Sequence, residues 1–374
     1  MDKNKVYIWY SGATDVTGKA LVDKLGVTGG TEKPAADAEM VIGWGTKTSV
    51  DIKLKAGTVL NHPNDIRKNR NKLKAMEAMQ VSGCNIAPFV KSVGKIDPIK
   101  VGLNYPLVGR TCFHQAGKGF WLVLNKTQLD AAINEGADYF QEYVHIVDEY
   151  RLHVFNDKVV YAVKKIRRNN MKEAFIEQYG EKVNNAAAKA DKKLDPDTLE
   201  YVLGKLAVKV LPNADMIVRS NLRGWKFSKV DLNKLPKGLG EQAIKALKGL
   251  NMSFGAVDCC LDETGKAWVI EVNSGPGLQG STLEAYLEEF NNIFVAMDKK
   301  AAEAVKKEAP KKAMEKAKAA AIVEDKMVAA KPGQVKAKED AKARLASKIE
   351  VLQKMLEVAS EDEAKVIDAL WNKM

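Results

Sequence analysis

Apolar and polar positions change period repeatedly along the chain, and each change marks an element. Lys5-Val-Tyr-Ile-Trp-Tyr10 is a β-rich run closed by Ser11-Gly12, and a helix is expected from Asp15 to Leu25, so the chain opens β–α. Met40–Trp44 and Thr58–Asn61 are further short apolar strands, which makes residues 1–95 a small α/β layer. A helix is expected over Lys68–Val81, then two strands, Tyr105–Arg110 and one ending at Leu124, around a glycine-rich turn. Thr127–Gly136 reads as a helix and Asp138–Val144 as a strand. Glu149–Phe155 and Lys158–Lys165 form a hairpin about Asn156-Asp157, a pair that tolerates positive φ. Leu239–Leu250 is amphipathic and leads into a last hairpin, from Phe254 to Asn273, about the polar turn Asp262–Gly265.

That last hairpin carries the candidate chemistry. Strict alternation puts Trp268, Ile270 and Val272 on one face and Val269, Glu271 and Asn273 on the other. Asp258, on the preceding strand, lies beside them if the pair is in register. Two carboxylates and an amide oxygen on a rigid sheet are hard ligands suited to Mg²⁺ carrying a polyphosphate. A hairpin with a solvated polar face is the plain alternative. The run Asn273-Ser-Gly-Pro-Gly277 then leaves through a turn that would bring phosphates close to backbone N–H groups.

Composition narrows the classes. With 374 residues, 46% hydrophobic and 29% charged, two or three domains with a sizeable core are expected. No apolar run is long enough to span a bilayer, and Met-Asp-Lys-Asn-Lys is no secretory leader. Cys84, Cys112, Cys259 and Cys260 lack C-x-x-C spacing, which predicts neither a zinc site nor a disulfide framework and fits a reducing cytoplasm. Gly12–Ala20 superficially suggests a P-loop, but its first glycine is one residue early and Ala20 stands where Ser or Thr should ligate Mg²⁺. The net charge of +11 is concentrated late: Lys299–Ile349 holds more than twice as many Lys and Arg as Asp and Glu.

Asp258…Glu271-Val-Asn273-Ser-Gly-Pro-Gly resembles the metal-binding signature of the ATP-grasp superfamily, particularly its RimK-like carboxylate–amine ligases (ribosomal-protein glutamate ligase type), including phage-type members. Ile217-Val-Arg219-Ser-Asn221 resembles the Arg-Ser-Asn element of the same enzymes, and the resemblance covers about residues 1–295. It implies an α/β (α+β) ATP-grasp fold: an N-terminal α/β pre-ATP-grasp domain at 1–95, the nucleotide-binding domain at 96–297, and a C-terminal helical extension.

It also implies site residues. Mg²⁺, with Mn²⁺ as an alternative ion, falls to Asp258, Glu271 and Asn273. Lys72, Arg110, His114, Gly117 and Gly119 fall on the ATP phosphates, with Arg110 where the family usually has lysine. Gln141-Glu142-Tyr143-Val144 resembles the hinge that meets adenine, and Asp148 is assigned to a ribose hydroxyl. Arg151, Lys165, Arg219 and Asn221 face substrate and the transferred phosphoryl. The implied activity joins a small-molecule or peptide carboxylate to an amine, or alternatively a thiol, through an acyl phosphate, releasing ADP and phosphate in a cytoplasm (the host's, for a phage protein).

Between the matched motifs, residues 168–205 read as a helical insertion or lid; beyond the resemblance, 298–344 reads as a basic Ala/Lys-rich linker and 345–374 as a helical hairpin with a Ser360–Glu363 capping box. That tail either packs on its own chain or docks a nucleic-acid, protein or second-copy partner. The competing reading of the whole chain is therefore a non-catalytic binding or assembly protein built on an ATP-grasp core.

Overall fold

The structure is a computed structural model that describes residues 2–92, 97–113, 119–167, 219, 225–300 and 302–303. It is mixed α/β, as the sequence implies, with one parallel and two antiparallel sheets, all within a compact unit Asp2–Glu289; a second unit begins at Phe290. The expected insertion and terminal hairpin, and the linker apart from its first few residues, lie outside the described residues. Among the described residues, no helix is long and apolar enough to cross a membrane.

The first sheet is parallel, ordered β2-β1-β3-β4, from β1 Val6–Tyr10, β2 Thr28–Gly30, β3 Met40–Trp44 and β4 Thr58–Leu60. Helix α1, Val16–Leu25, starts where the Asp15 carboxylate accepts from the Gly18 amide and stops at Gly26, whose φ of 64° ends the helical repeat. A Cβ on Gly18 would fall 2.5 Å from Tyr10 Cβ, so this glycine lets helix lie on strand, a packing role with no phosphate in it.

The expected Lys68–Val81 helix is two helices, α2 Pro63–Arg70 and α3 Lys72–Val81. Asn71 separates them: its backbone is extended and its side chain accepts from Lys74 N, capping α3. The break frees the Lys72 amide to donate to Cys112 O at 2.9 Å, at the base of the glycine-rich turn.

The second sheet, ordered β5-β8-β6-β7, joins Phe89–Lys91 (β5), Leu107–Arg110 (β6), Phe120–Val123 (β7) and Tyr139–Glu142 (β8). Helix α4, Lys126–Asn134, is capped by Asn125, so it begins one residue before the expected start. Leu107, Val123, Leu129, Ala132 and Phe140 form a small core of their own.

The third sheet holds the site. Its antiparallel order is β11-β10-β9-β12-β13, from β9 Asp148–Phe155, β10 Lys158–Arg167, β11 Trp225–Lys229, β12 Phe254–Leu261 and β13 Ala267–Asn273. Asn156 and Asp157 take φ of 44° and 64°, the positive values the hairpin turn requires. One face packs on α3 and on α5, Leu239–Gly249: Tyr150, Leu152, Val154, Val257 and Cys259 meet Leu73, Met76, Ala243 and Leu247 in the main core. The other face carries Glu149, Arg151 and Asp258.

Strict alternation fails on β13. Pairing runs Asp258↔Glu271 and then Cys259↔Val269, so Ile270 is the extra residue of a β-bulge. Val269 therefore joins Val272 in the core, while Ile270 is turned outward, 36% exposed. A sequence period of two has no way to register the inserted residue.

The N-terminal lobe is tied to this sheet by two asparagines and an aromatic stack. Asn61 donates to Phe254 O at 2.8 Å and accepts from Ser253 N at 2.8 Å, and Asn69 donates to Val272 O at 2.9 Å. Trp44 stacks on Phe254 at 5.4 Å and Phe254 on Phe155 at 5.4 Å, with Tyr286 edge-on to them.

The turn after β13 is built against the same lobe. A Cβ on Gly275 would lie 2.7 Å from Gly45 N and 3.1 Å from the Trp44 carbonyl carbon, both backbone, whereas Gly277 has nothing within 4 Å. Gly275→Ala is expected to lower stability by ~1–3 kcal/mol in denaturant unfolding, as overpacking does. Gly277→Ala should leave the midpoint nearly unchanged; equal losses in both would refute this packing role.

Candidate active site

The described lining encloses a cleft of 1170 Å³ between the three sheets. At its floor the hairpin register puts Asp258 opposite Glu271 on one side and opposite Arg151 on the other. Arg151 answers with a two-pronged bond, Nε to Oδ1 at 2.7 Å and Nη2 to Oδ2 at 2.9 Å. Lys165, brought across from Glu149 by the β9–β10 register, bonds Glu149 and reaches Asp258 Oδ2 at 3.8 Å. Lys72, the first residue of α3, pairs with Glu271 at 3.1 Å.

Burial alone would push the Asp258 carboxyl up; Arg151, then Lys165 and Lys72, outweigh it and hold it below the usual carboxylate range. Glu271 is likewise pushed up by burial and pulled lower by Lys72, ending below its ordinary value. Glu149 goes the other way: only 5% exposed, it is raised by burial more than Lys165 lowers it. His153, further along β9 and bonded to Tyr286 OH at 3.3 Å, is driven down to about 4 by burial and by Arg151, so it is neutral at pH 7.

The walls hold the remaining expected residues. Arg110 lines the cleft with its guanidinium 5.4 Å from the Phe120 ring, and burial lowers its pKa. Gly119, at φ 58°, closes the glycine-rich turn where a Cβ would meet Thr111 Oγ1 at 2.6 Å; His114 and Gly117 lie outside the described residues. β8 ends with Glu142 N donating to Pro88 O at 2.8 Å and Tyr143 N to Pro106 O at 2.9 Å, which lays Gln141–Val144 along one wall. Arg219 is buried, donating to Ile146 O at 2.6 Å and Val147 O at 3.3 Å and lying 4.7 Å over Trp225; Asn221 is outside the described residues.

Asp148 is placed elsewhere. It lies outside the cleft lining, and its carboxylate pairs with Lys164 at 2.7 Å, beside Tyr150 of the core face.

Glu149, Phe227 and Asn69 are among the cleft residues that escaped the sequence reading. Glu149 sits two residues before Arg151 on one strand, so period-two spacing was a usable signal. Phe227 is 47% exposed and covers Arg151 at 4.9 Å and Lys165 at 5.9 Å. Asn69 had no local signal, because its partner Val272 lies 203 residues away.

Asp258, Glu271 and Asn273 suit a hard cation by donor type: two carboxylates and an amide oxygen. Each carboxylate oxygen bonded to Arg151 keeps a second lone pair. Asn273 Nδ2 is buried with no hydrogen-bond partner, so the side chain is not committed to the surrounding protein. Among the described residues no three His, Cys, Asp or Glu side chains converge on one metal position. All four cysteines are free.

No protein-family model matches the chain, and no curated protein matches it. Solved structures do. D-alanine–D-alanine ligase from Bacillus anthracis is 12% identical with a TM-score of 0.49, covering 77% of this chain and 92% of its own. N5-carboxyaminoimidazole synthetase from Staphylococcus aureus, in complex with ADP, is 14% identical at 0.48, covering 73% and 70%. The ATP-grasp ligase PsnB with its minimal precursor is 12% identical at 0.47, covering 76% and 97%.

The depressed carboxyls contribute a pH dependence to stability on the acid side. Because the folded state holds Glu271 below its ordinary 4.5, its contribution is complete above that pH and is lost as pH falls further. Unfolding midpoints recorded between about pH 6 and pH 2 should fall less steeply in Glu271→Gln than in the unaltered chain. Parallel curves would mean that the Lys72 pair does not stabilise the fold.

Proposed function

We propose that the protein is an ATP-dependent carboxylate–amine ligase of RimK-like, ATP-grasp type. The observation that carries this reading is the facing pair Asp258 and Glu271, with Asn273, at the floor of a cleft otherwise lined by more cations than carboxylates. Seven Lys and Arg residues line it against four Asp and Glu among the described residues, a surplus that suits a triphosphate.

Asp258, Glu271 and Asn273 would hold Mg²⁺, or Mn²⁺, which when bound neutralises triphosphate oxygens. The chain's own residues do the rest. Lys72 and Lys165, held beside the carboxylates by short ion pairs, present ammonium groups to phosphate oxygens. Arg110 and Arg151 present guanidinium groups, and Phe227 keeps water off Arg151 and Lys165. Gln141–Val144 forms the wall for the base, with the outward Ile270 as an apolar surface for its ring. Arg219, itself part of the lining, braces that wall through Ile146 and Val147.

A substrate carboxylate oxygen attacks the γ-phosphorus, and ADP leaves with the bonding electron pair. An amine nitrogen then attacks the acyl carbon, the C–O bond to phosphate breaks, phosphate leaves, and the nitrogen releases its proton to solvent. Positioning and charge suffice, without a side-chain nucleophile. The buried free thiols favour a reducing cytoplasm as its place of work.

Mass spectrometry of reactions containing ATP, Mg²⁺ and pooled carboxylates and amines should reveal a product one water lighter than its parts, with one ADP per product. Lys72→Met should reduce turnover by about 10²–10³-fold, the usual loss for one charge stabiliser. Neither product nor ADP with any pair, and no binding of an ATP analogue, would overturn the reading.

A further inference from the structure

Both carboxylates of the floor are already matched by a cation. Arg151 takes the two oxygens of Asp258, at 2.7 and 2.9 Å, and Lys72 takes Oε2 of Glu271 at 3.1 Å. Lys165 bonds Glu149 and also stands 3.8 Å from Asp258 Oδ2. All of these groups line the cleft, and across its described lining the cations outnumber the carboxylates. Affinity for a hard dication depends on how much carboxylate charge its site leaves uncompensated. A floor balanced in this way gives little net attraction to a dication that arrives alone.

The two pairs differ in what they can tolerate. Asp258 is buried, and removing Arg151 would leave its charge without a partner. Lys72 and Glu271 are both partly exposed, and a single ion pair joins them. The Lys72 backbone is fixed as the first residue of α3, with its amide on Cys112 O. The ion pair holds its ammonium beside the strand that carries Glu271 and Asn273. An ammonium at that place repels a dication and attracts a polyphosphate by the same law.

We propose that Lys72 makes cation binding at the floor conditional on polyphosphate: its charge keeps free divalent ions off Glu271, and a triphosphate, by answering that charge, lets Asp258, Glu271 and Asn273 accept the ion it carries. The coupling is reciprocal, so the ion in turn strengthens the hold on the nucleotide. No side chain has to be displaced, because Glu271 Oε2 keeps a second lone pair beside the one that Lys72 uses. This rests on the ligase reading above and adds the order in which that site fills.

The test is a titration of the full chain with Mn²⁺ in nucleotide-free buffer, unbound Mn²⁺ being read by electron paramagnetic resonance. The unaltered chain should bind weakly, and Lys72→Met at least about tenfold more tightly. Lys72→Arg, which keeps the charge, should bind as weakly as the unaltered chain. Lys74→Met removes an exposed charge further along the same helix and should change binding by less than about twofold. The gain should vanish when Glu271→Gln is added to Lys72→Met. With Mg²⁺ and a non-hydrolysable ATP analogue the sign reverses, Lys72→Met binding the analogue about tenfold more weakly, whereas a merely structural defect would weaken both ligands. Thermal melting reports the fold of each variant, and Lys72→Gln, neutral but still a donor to Glu271, takes the place of Lys72→Met if that is unfolded.

The role of Lys72 is overturned if Mn²⁺ binds no more tightly to the neutral variants than to the unaltered chain. A gain shared by Lys72→Arg or Lys74→Met, or one that survives Glu271→Gln, overturns it equally. In each of those cases, binding of the Mg²⁺-analogue by the unaltered chain leaves the ligase reading standing. No binding of the analogue removes both.

Discussion

Arg151 and Asp258 face each other across adjacent strands and close two hydrogen bonds in a region from which water is largely excluded. A buried carboxylate without a partner would cost several kcal/mol or give up its charge. With Arg151 in place it stays charged below its ordinary pKa, and everything around it follows from that. Lys165 is shared between Asp258 and Glu149, Lys72 answers Glu271, and Phe227 shields the two cations nearest the floor. Buried pairs of this kind contribute little net stability over apolar packing. What they confer is a set of fixed charges, ready to meet a charged ligand without reorganising.

A fixed array needs a rigid frame on both sides. Below the sheet, α3 and α5 close an apolar core against alternate residues of β9, β12 and β13. Beyond it, the Trp44–Phe254–Phe155 stack and the Asn61 and Asn69 side chains hold the N-terminal lobe to the same strands. The bonds made by Asn61 and Asn69 go to backbone groups, so they set distance as well as contact. Gly275 lying against Gly45 continues that seam past the end of β13. Site and seam thus share one strand: Glu271 and Asn273 serve the floor, and Val272 between them receives Asn69.

Where residues and coordinates diverge, a tertiary contact has overridden a local pattern. Lys68–Val81 has helical composition throughout, yet Asn71 breaks it, and the freed Lys72 amide goes to Cys112. Alternation on β13 was correct at Glu271 and Asn273 but failed at Val269, because a bulge admits Ile270 as an extra residue. Asp148 has the right chemistry for the cleft and the wrong parity, an odd number of positions from both Glu149 and Arg151 on β9.

From residues alone came most of the longer strands and helices, the two hairpins of the third sheet and most of the charged groups around the floor. These are legible because periodicity, turn residues and same-face spacing are properties of short stretches of chain. The tertiary structure alone decided that Arg151 locks Asp258, that Phe227 covers two cations, and that Asn69 ties α2 to β13. Those facts depend on segments far apart in sequence meeting within hydrogen-bonding or ring-contact distance, as between Arg151 and Asp258. No local pattern encodes such a meeting; it exists only once the sheets have closed around their cores.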